Sequence, residues 1–237
     1  MKIPLLIASC LLVIASCLLV IAKCRAGYTV SQRVEAYGEQ VRQRLEPAFA
    51  VAQVNYPPSE FTLIGLKGEK NLELWAPDKQ GRQRLIKTYP ILAASGRPGP
   101  KLREGDLQVP EGIYAIESLN PNSRFHLSLR VNYPNAEDRR RAREDARTQL
   151  GGDIMIHGSD ASIGCLAMGD PASEELFVLA ALTGPSKIRV ILSPVDFRKK
   201  AGVTLPTRQP AWVPELHVKI AAELAKFNTS KPAATAR

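Results

Sequence analysis

The alternation of apolar and polar positions changes period several times along the chain, and each change marks an element. Positions 4–22 are almost wholly apolar, with no polar face. From 31 to 52, Val34, Val41, Leu45 and Phe49 recur at helical spacing among charged residues, which predicts an amphipathic helix that stops before Pro57-Pro58. Runs at 61–66 and 71–75 flank the turn Lys67-Gly68-Glu69-Lys70, and 84–92 follows the turn signal Pro77-Asp78-Lys79-Gln80-Gly81; the three predict a β-meander. Segments 112–117 and 126–131 are strand-like, and in the second His126 alternates with Leu127 and Leu129, which places it on the surface face. Segment 137–150 sets Arg139, Arg140, Arg141, Arg143 and Arg147 against Glu137, Asp138, Glu144 and Asp145, the pattern of an exposed helix. Its basic face could meet an anionic glycan or simply be solvated. A helix at 171–182, a closing strand at 187–192, a proline-bearing stretch at 199–214, a helix at 214–227 and a disordered basic tail at 230–237 complete the pattern. The fold class expected is α+β: a mainly β twisted sheet or open β-barrel with peripheral helices.

Composition narrows the reading. A length of 237 residues with 45% hydrophobic side chains fits one medium domain with appendages and a real core. The net charge is +9, or +6 (29 basic against 23 acidic side chains) once Lys2, Lys23 and Arg25 of the first 26 residues are set aside. A basic balance admits nucleic acid, but equally an anionic envelope polymer or membrane surface. With no zinc-finger spacing and no RNA-recognition signature, no nucleic-acid partner is expected. The three histidines, His126, His157 and His217, stand far apart in sequence and form no cluster with cysteine, so neither a metal nor a cofactor is expected.

The apolar stretch contains the tandem heptapeptides 11–17 and 18–24, preceded by a partial copy at 5–10, and Lys2 stands in front of them. It reads as an export signal. Three endings compete: cleavage before Gly27 after Cys24-Arg25-Ala26, lipidation at a cysteine such as Cys17 or Cys10, and an uncleaved membrane anchor. All three put the body of the protein in the cell envelope. Removal of the first 26 residues also removes Cys10, Cys17 and Cys24, leaving Cys165 as the only cysteine of the four. The expected division is 1–26 signal or anchor, 27–58 N-terminal helical segment, 59–198 catalytic domain, and 199–237 C-terminal extension.

Candidate chemistry concentrates at 153–170. Ile154-Met155-Ile156 reads as a buried strand that delivers His157-Gly158 to its end, and a polar loop then leads through Ser162-Ile163-Gly164 to Cys165. A lone cysteine is most often a small core hydrophobe. This one lies in a Gly-rich polar loop without a disulfide partner, which makes it a candidate nucleophile with His157 as its base. Such pairing is expected to hold a thiolate–imidazolium pair and to depress the thiol pKa. Backbone N–H groups along Ser162, Ile163 and Gly164 are candidate oxyanion donors.

The blocks His157-Gly158 and Ser162-Ile163-Gly164-Cys165, with Met168 beyond, resemble the L,D-transpeptidase catalytic domain of YkuD type, and more narrowly its YafK branch. The blocks Gly99-Pro100-Lys101, Gly105-Asp106, Pro110-Glu111-Gly112-Ile113-Tyr114 and Asn132-Tyr133-Pro134-Asn135-Ala136 are similar to that branch in the same order, over 61–195. The resemblance implies Cys165 as acyl-enzyme nucleophile, His157 as base, the Gly158 carbonyl as the group that orients the imidazole, and Lys101, Arg103 or Met168 as substrate contacts. It implies peptidoglycan stem peptides as partners, with release of a peptidoglycan-linked lipoprotein associated with this branch. The chain departs from the wider family in one place. Ile163 stands where a second histidine is usual, a substitution the YafK branch shares. The acyl acceptor is therefore open: water gives a hydrolase and an amine gives a transpeptidase. A non-catalytic envelope-binding module is the competing class.

Overall fold

The computed structural model describes residues 27–162, 164–200, 202–206 and 209–228. The apolar repeat with its three cysteines, Ile163 and the tail at 230–237 lie outside the described residues. In chain order the elements are helix α1 (Val30–Val51), strands β1 (Phe61–Leu66), β2 (Asn71–Pro77), β3 (Gln83–Pro90), β4 (Gly112–Ser123) and β5 (His126–Val131), helix α2 (Ala136–Glu144), strands β6 (Met155–His157) and β7 (Leu166–Ala167), helix α3 (Asp170–Thr183), strand β8 (Ile188–Ser193) and helix α4 (Val213–Leu224). The class is α+β, as the periodicity predicts.

The strands form one mixed sheet in the order β3-β2-β1-β8-β4-β5-β6-β7. Neighbours pair antiparallel except β1 with β8 and β6 with β7, which run parallel. The chain beyond β3 returns to the far edge: Ala93 bridges Ala167 of β7, so the two ends of the sheet meet through a single bridge and the sheet is barrel-like. β1 is buried along its whole length. Its odd residues, Phe61 and Leu63, join the main core, whereas Ile64 and Leu66 face a second cluster with Trp75 and Ile191. That two-faced burial is what a continuous apolar strand requires.

Each face is closed by helices. α1 begins with a capping box, in which the Thr29 hydroxyl accepts the Gln32 N–H at 3.2 Å and the Gln32 side chain accepts the Thr29 N–H at 2.8 Å. It buries Val41, Leu45 and Phe49 against the main core. Glu175 of α3 ties these layers together, pairing with Arg44 of α1 at 3.0 Å and Lys87 of β3 at 2.7 Å. On the other face α4 buries Leu216, Ile220 and Leu224. The segment read from sequence as a C-terminal extension thus supplies a layer of the core.

Two elements differ from the expectation. The helix expected at 137–150 ends at Glu144, because Ala146 takes a left-handed conformation (φ 54°) that no helix continues through. Its charges are not all solvated either: Arg141 is buried, with its guanidinium 2.6 Å from Glu215 of α4. β4 also outruns its expected end at 117. The polar stretch beyond it is held as strand by pairing with β5, which puts the β4–β5 turn over the site described next.

Candidate active site

β6 contributes three residues, yet its neighbours decide what they face. Ser128 of β5 lies directly opposite His157, and Leu166 and Ala167 of β7 pair with Ile156 and His157 in parallel register. Extending that register by one residue sets Cys165 beside Met155. Side chains alternate faces along a strand, and cross-strand partners share a face. His157, Ser128 and Cys165 therefore emerge on one side of the sheet.

The chain leaves β6 through a pinned turn. Met168 N–H donates to the His157 carbonyl at 2.8 Å, and Gly169 N–H donates to the Ser159 carbonyl at 2.9 Å. Ser159, at φ 62°, donates its N–H to Asp170 Oδ1 at 2.8 Å. Gly158 fits because it has no side chain: a Cβ there would lie 2.5 Å from Asp170 Oδ1 and 2.8 Å from the Phe125 carbonyl oxygen. This confinement aims the imidazole. His157 Nδ1 lies 2.6 Å from the Gly158 carbonyl oxygen. A carbonyl only accepts, so Nδ1 carries the proton and Nε2 is left as the basic nitrogen. Burial lowers the His157 pKa, with the Gly158 hydrogen bond opposing, so the ring is neutral at neutral pH.

The thiol is held differently from the sequence expectation. Cys165 Sγ accepts the Met155 N–H at 3.4 Å and donates to the Asp153 carbonyl at 3.5 Å. Burial pushes the Cys165 thiol up, although the Met155 N–H opposes that. The expected thiolate–imidazolium pair is therefore not the resting state: burial disfavours the charged form of each partner, and thiol and imidazole rest neutral. Alkylation of Cys165 should accordingly show a pH midpoint above the ordinary thiol value of about 8.5. A stopped-flow iodoacetamide titration checks this, and a midpoint near 6 would restore the ion pair.

Both side chains line a cavity of about 610 Å³. Its walls are the loop bearing Lys101, Glu104 and Leu107 and the β4–β5 turn bearing Arg124 and Phe125, and its floor runs from Gly151 to His157. The Phe125 ring lies 4.8 Å from the His157 ring, tilted by 32°. Lys101 reaches the cavity, but its ammonium is held by Asp106 Oδ1 at 2.7 Å and the Arg103 carbonyl at 2.9 Å. Arg103 itself is exposed and outside the lining. Met168 is 3% exposed and belongs to the main core, so it anchors the loop rather than meeting a ligand. Ser162 directs its hydroxyl inward: Oγ accepts the N–H groups of Cys165 at 3.0 Å and Gly164 at 3.3 Å and donates to the Cys165 carbonyl at 2.6 Å. The Gly164 amide, one of those expected to face an oxyanion, is thus turned to Ser162 in the resting loop, together with the Cys165 amide. His126 lies outside this lining, with Nε2 3.1 Å from Glu174 Oε1. Among the described residues no three His, Cys, Asp or Glu side chains converge as a metal site would need.

Sequence reasoning missed Arg124, Phe125, Ser128 and Asp170. The first two sit in a turn whose polar flank conceals the hairpin. Ser128 and Asp170 are single polar residues whose role exists only through cross-strand register and the helix-to-loop contact.

A histidine with a fixed tautomer that shares one cavity with a free thiol, on one face of a barrel-like mixed sheet, presents the residue types that nucleophilic acyl chemistry uses. The model of the YkuD family, the L,D-transpeptidase catalytic domain, matches residues 67–191, and the chain belongs to that family. It is 38% identical over 134 residues to Escherichia coli (strain K12) YafK, a protein with a provisional L,D-transpeptidase designation; the match takes in 54% of this chain and 51% of YafK. The chain therefore spans about half the length of the curated relatives it matches. Among solved structures it is similar to the helical cell shape determining protein Pgp2 of Campylobacter jejuni, with 24% identity, a TM-score of 0.46, and coverage of 57% of this chain and 48% of that one. Bdellovibrio bacteriovorus Bd1075 shows 19% identity and a TM-score of 0.43, covering 74% of this chain and 59% of its own.

Proposed function

We propose that the protein is an exported cysteine enzyme that acts on peptidoglycan stem peptides through a Cys165 acyl-enzyme and mainly hydrolyses that intermediate. The observation that carries this reading is the shared face of His157 and Cys165 in one cavity, with the imidazole tautomer set by the Gly158 carbonyl. Family membership supplies the substrate class.

The chemistry follows from two neutral partners. As Cys165 Sγ bonds to the carbonyl carbon at the L-centre of a diamino acid, its proton passes to His157 Nε2. The imidazolium returns that proton to the leaving amine as the C–N bond breaks, and a thioester remains on Cys165. Water then attacks the thioester, His157 takes its proton, and the C–S bond breaks to give a free acid and the restored thiol.

The preference for water rests on the identity of Ile163. An aliphatic side chain can neither accept a proton from an incoming amine nor orient it by a hydrogen bond. Water is small and abundant, and His157 alone can activate it. When stem peptide is supplied with excess diamino acceptor, free acid should dominate over exchanged or cross-linked product by muropeptide mass spectrometry. A majority of exchanged product would make the protein a transpeptidase. The envelope location rests on the apolar repeat at 4–22, and the intact mass of the envelope form distinguishes a start at Gly27, a lipidated cysteine and an intact anchor.

A further inference from the structure

The chain beyond the catalytic domain reaches back to a wall of the cavity. Trp212, the residue that opens α4, donates its indole N–H to Asp145 Oδ2 at 2.8 Å. The same oxygen accepts Arg147 Nε at 3.1 Å and Nη2 at 3.0 Å, and Arg147 Nη1 donates to the Leu102 carbonyl at 2.9 Å. The Arg147 guanidinium also lies 5.8 Å from the Trp212 ring centroid, and that of Arg141 lies 5.5 Å from it. The end of α2 aims Arg147 at these partners. Ala146 N–H donates to the Arg143 carbonyl at 3.2 Å and Arg147 N–H to the Ala142 carbonyl at 2.8 Å, a Schellman ending around the left-handed Ala146 that turns the chain off the helix axis. Three distant parts of the chain are thus linked in series, through Trp212, Asp145 with Arg147, and Leu102.

Leu102 belongs to a turn that holds its own shape. Asp106 accepts the N–H groups of Leu102 at 2.8 Å and Arg103 at 3.0 Å, and the Lys101 ammonium at 2.7 Å. A turn closed on itself in this way can shift as a unit, so its place depends on what grips it from outside. Tyr133 Oη donates to the Lys101 carbonyl at 3.3 Å, and Glu104 N–H donates to the Gln149 carbonyl at 2.9 Å. Arg147 adds the charge-assisted contact, the stronger kind of hydrogen bond. Lys101, Glu104 and Gly105 of this turn line the cavity that holds Cys165. We propose that Arg147 and Trp212 are positioning residues for that cavity: the C-terminal segment fixes the 101–106 wall through Asp145, Arg147 and the Leu102 carbonyl. The effect on turnover rests on the acyl-transfer reading above, whereas the place of the wall can be read without substrate.

The full-length protein is compared with Arg147→Gln, Trp212→Phe and the double variant. Hydrogen exchange followed by mass spectrometry should quicken about tenfold over 102–108 in Arg147→Gln, the scale of one charge-assisted hydrogen bond, while 61–77 exchanges as in wild type. Trp212→Phe keeps a ring against both guanidiniums but loses the N–H, so it should quicken 102–108 less. In the Arg147→Gln background it should add nothing, because it acts through that arginine. With stem peptide, Arg147→Gln should raise KM roughly tenfold at unchanged kcat, the signature of a wall that contacts substrate alike before and during reaction. Arg147→Lys, which can still donate to a carbonyl, should recover part of that KM. A general loss of folded protein would instead lower the apparent kcat, leave KM in place and quicken 61–77 as well. Wild-type exchange at 102–108 in Arg147→Gln, additive effects of the two substitutions, or a KM that does not move while the wild type turns over, overturns the proposal. The expected exchange pattern without turnover by the wild type keeps the positioning role and overturns the acyl-transfer reading.

Discussion

Cys165→Ala should reduce peptide turnover to background, a loss of roughly a million-fold by analogy with removal of other catalytic nucleophiles. The reasoning lies in the site. Alanine has no lone pair to form the thioester, and the neighbouring groups offer no substitute: Met155 contributes an N–H and Asp153 a carbonyl. The fold should tolerate the change, because Cys165 is only partly buried and makes no disulfide. The thermal midpoint should therefore stay within a few degrees of wild type. His157→Ala should cost less, about 10²- to 10⁴-fold, since it removes proton transfer but leaves the thiol. Burial holds the His157 pKa below its ordinary value of about 6.5, so the acid limb of the wild-type rate profile should lie below that pH. Trapped acyl-enzyme seen by intact mass in the wild type and absent from Cys165→Ala completes the test. Full turnover by Cys165→Ala would end the nucleophile assignment.

Glu111→Ala should destabilise the protein by about 3–5 kcal/mol, the range for removing one partner of a buried charge pair. The Glu111 side chain is 0% exposed and joins three distant parts of the chain. Oε1 accepts from Lys67 Nζ at 2.9 Å and from the Gly99 N–H at 2.7 Å, and Oε2 lies 2.8 Å from His217 Nε2 on α4. Removing the carboxylate leaves the Lys67 ammonium buried with only the Gly99 and Val109 carbonyls. It also releases the loop that forms the Glu104 wall of the cavity. Glu111→Gln, which keeps an acceptor, should cost less. Burial alone would raise the Glu111 pKa, but His217 and Lys67 outweigh it and hold the carboxyl below its ordinary value. Its contribution is then present in full above the unfolded glutamate value of about 4.3 and is lost as the pH falls through the lower folded value. Denaturant melts of wild type and Glu111→Gln should converge in that acid range. Equal stability of the two at pH 7 would refute the network's role.

Much of this molecule is legible in local pattern. The turns at Lys67-Gly68-Glu69-Lys70 and Pro77-Asp78-Lys79-Gln80-Gly81 separate strands that form where the apolar runs place them. Val41, Leu45 and Phe49 face the core as helical spacing requires. His157 and Cys165 stand out because a strand end and a Gly-rich loop are read from adjacent residues. Pattern of this kind is short-range: it records which way a side chain points relative to its neighbours in sequence.

Partnership and environment are not short-range, and the tertiary structure alone decided them. Nothing in 61–66 or 188–193 announces that these strands lie parallel at the centre of the sheet, because the pairing closes more than a hundred residues of intervening chain. Nor does 214–227 announce that its helix forms the second core face or that His217 meets Glu111. The expected thiolate failed for the same reason. A nearby histidine in sequence suggests charge stabilisation, but burial pushes the thiol up against the opposing Met155 N–H, and only the folded register supplies that environment. The sequence by itself determined the elements, the candidate nucleophile and its base. The fold decided the environment of each and the groups that hold each in place, since those properties belong to distances between residues that the chain keeps far apart.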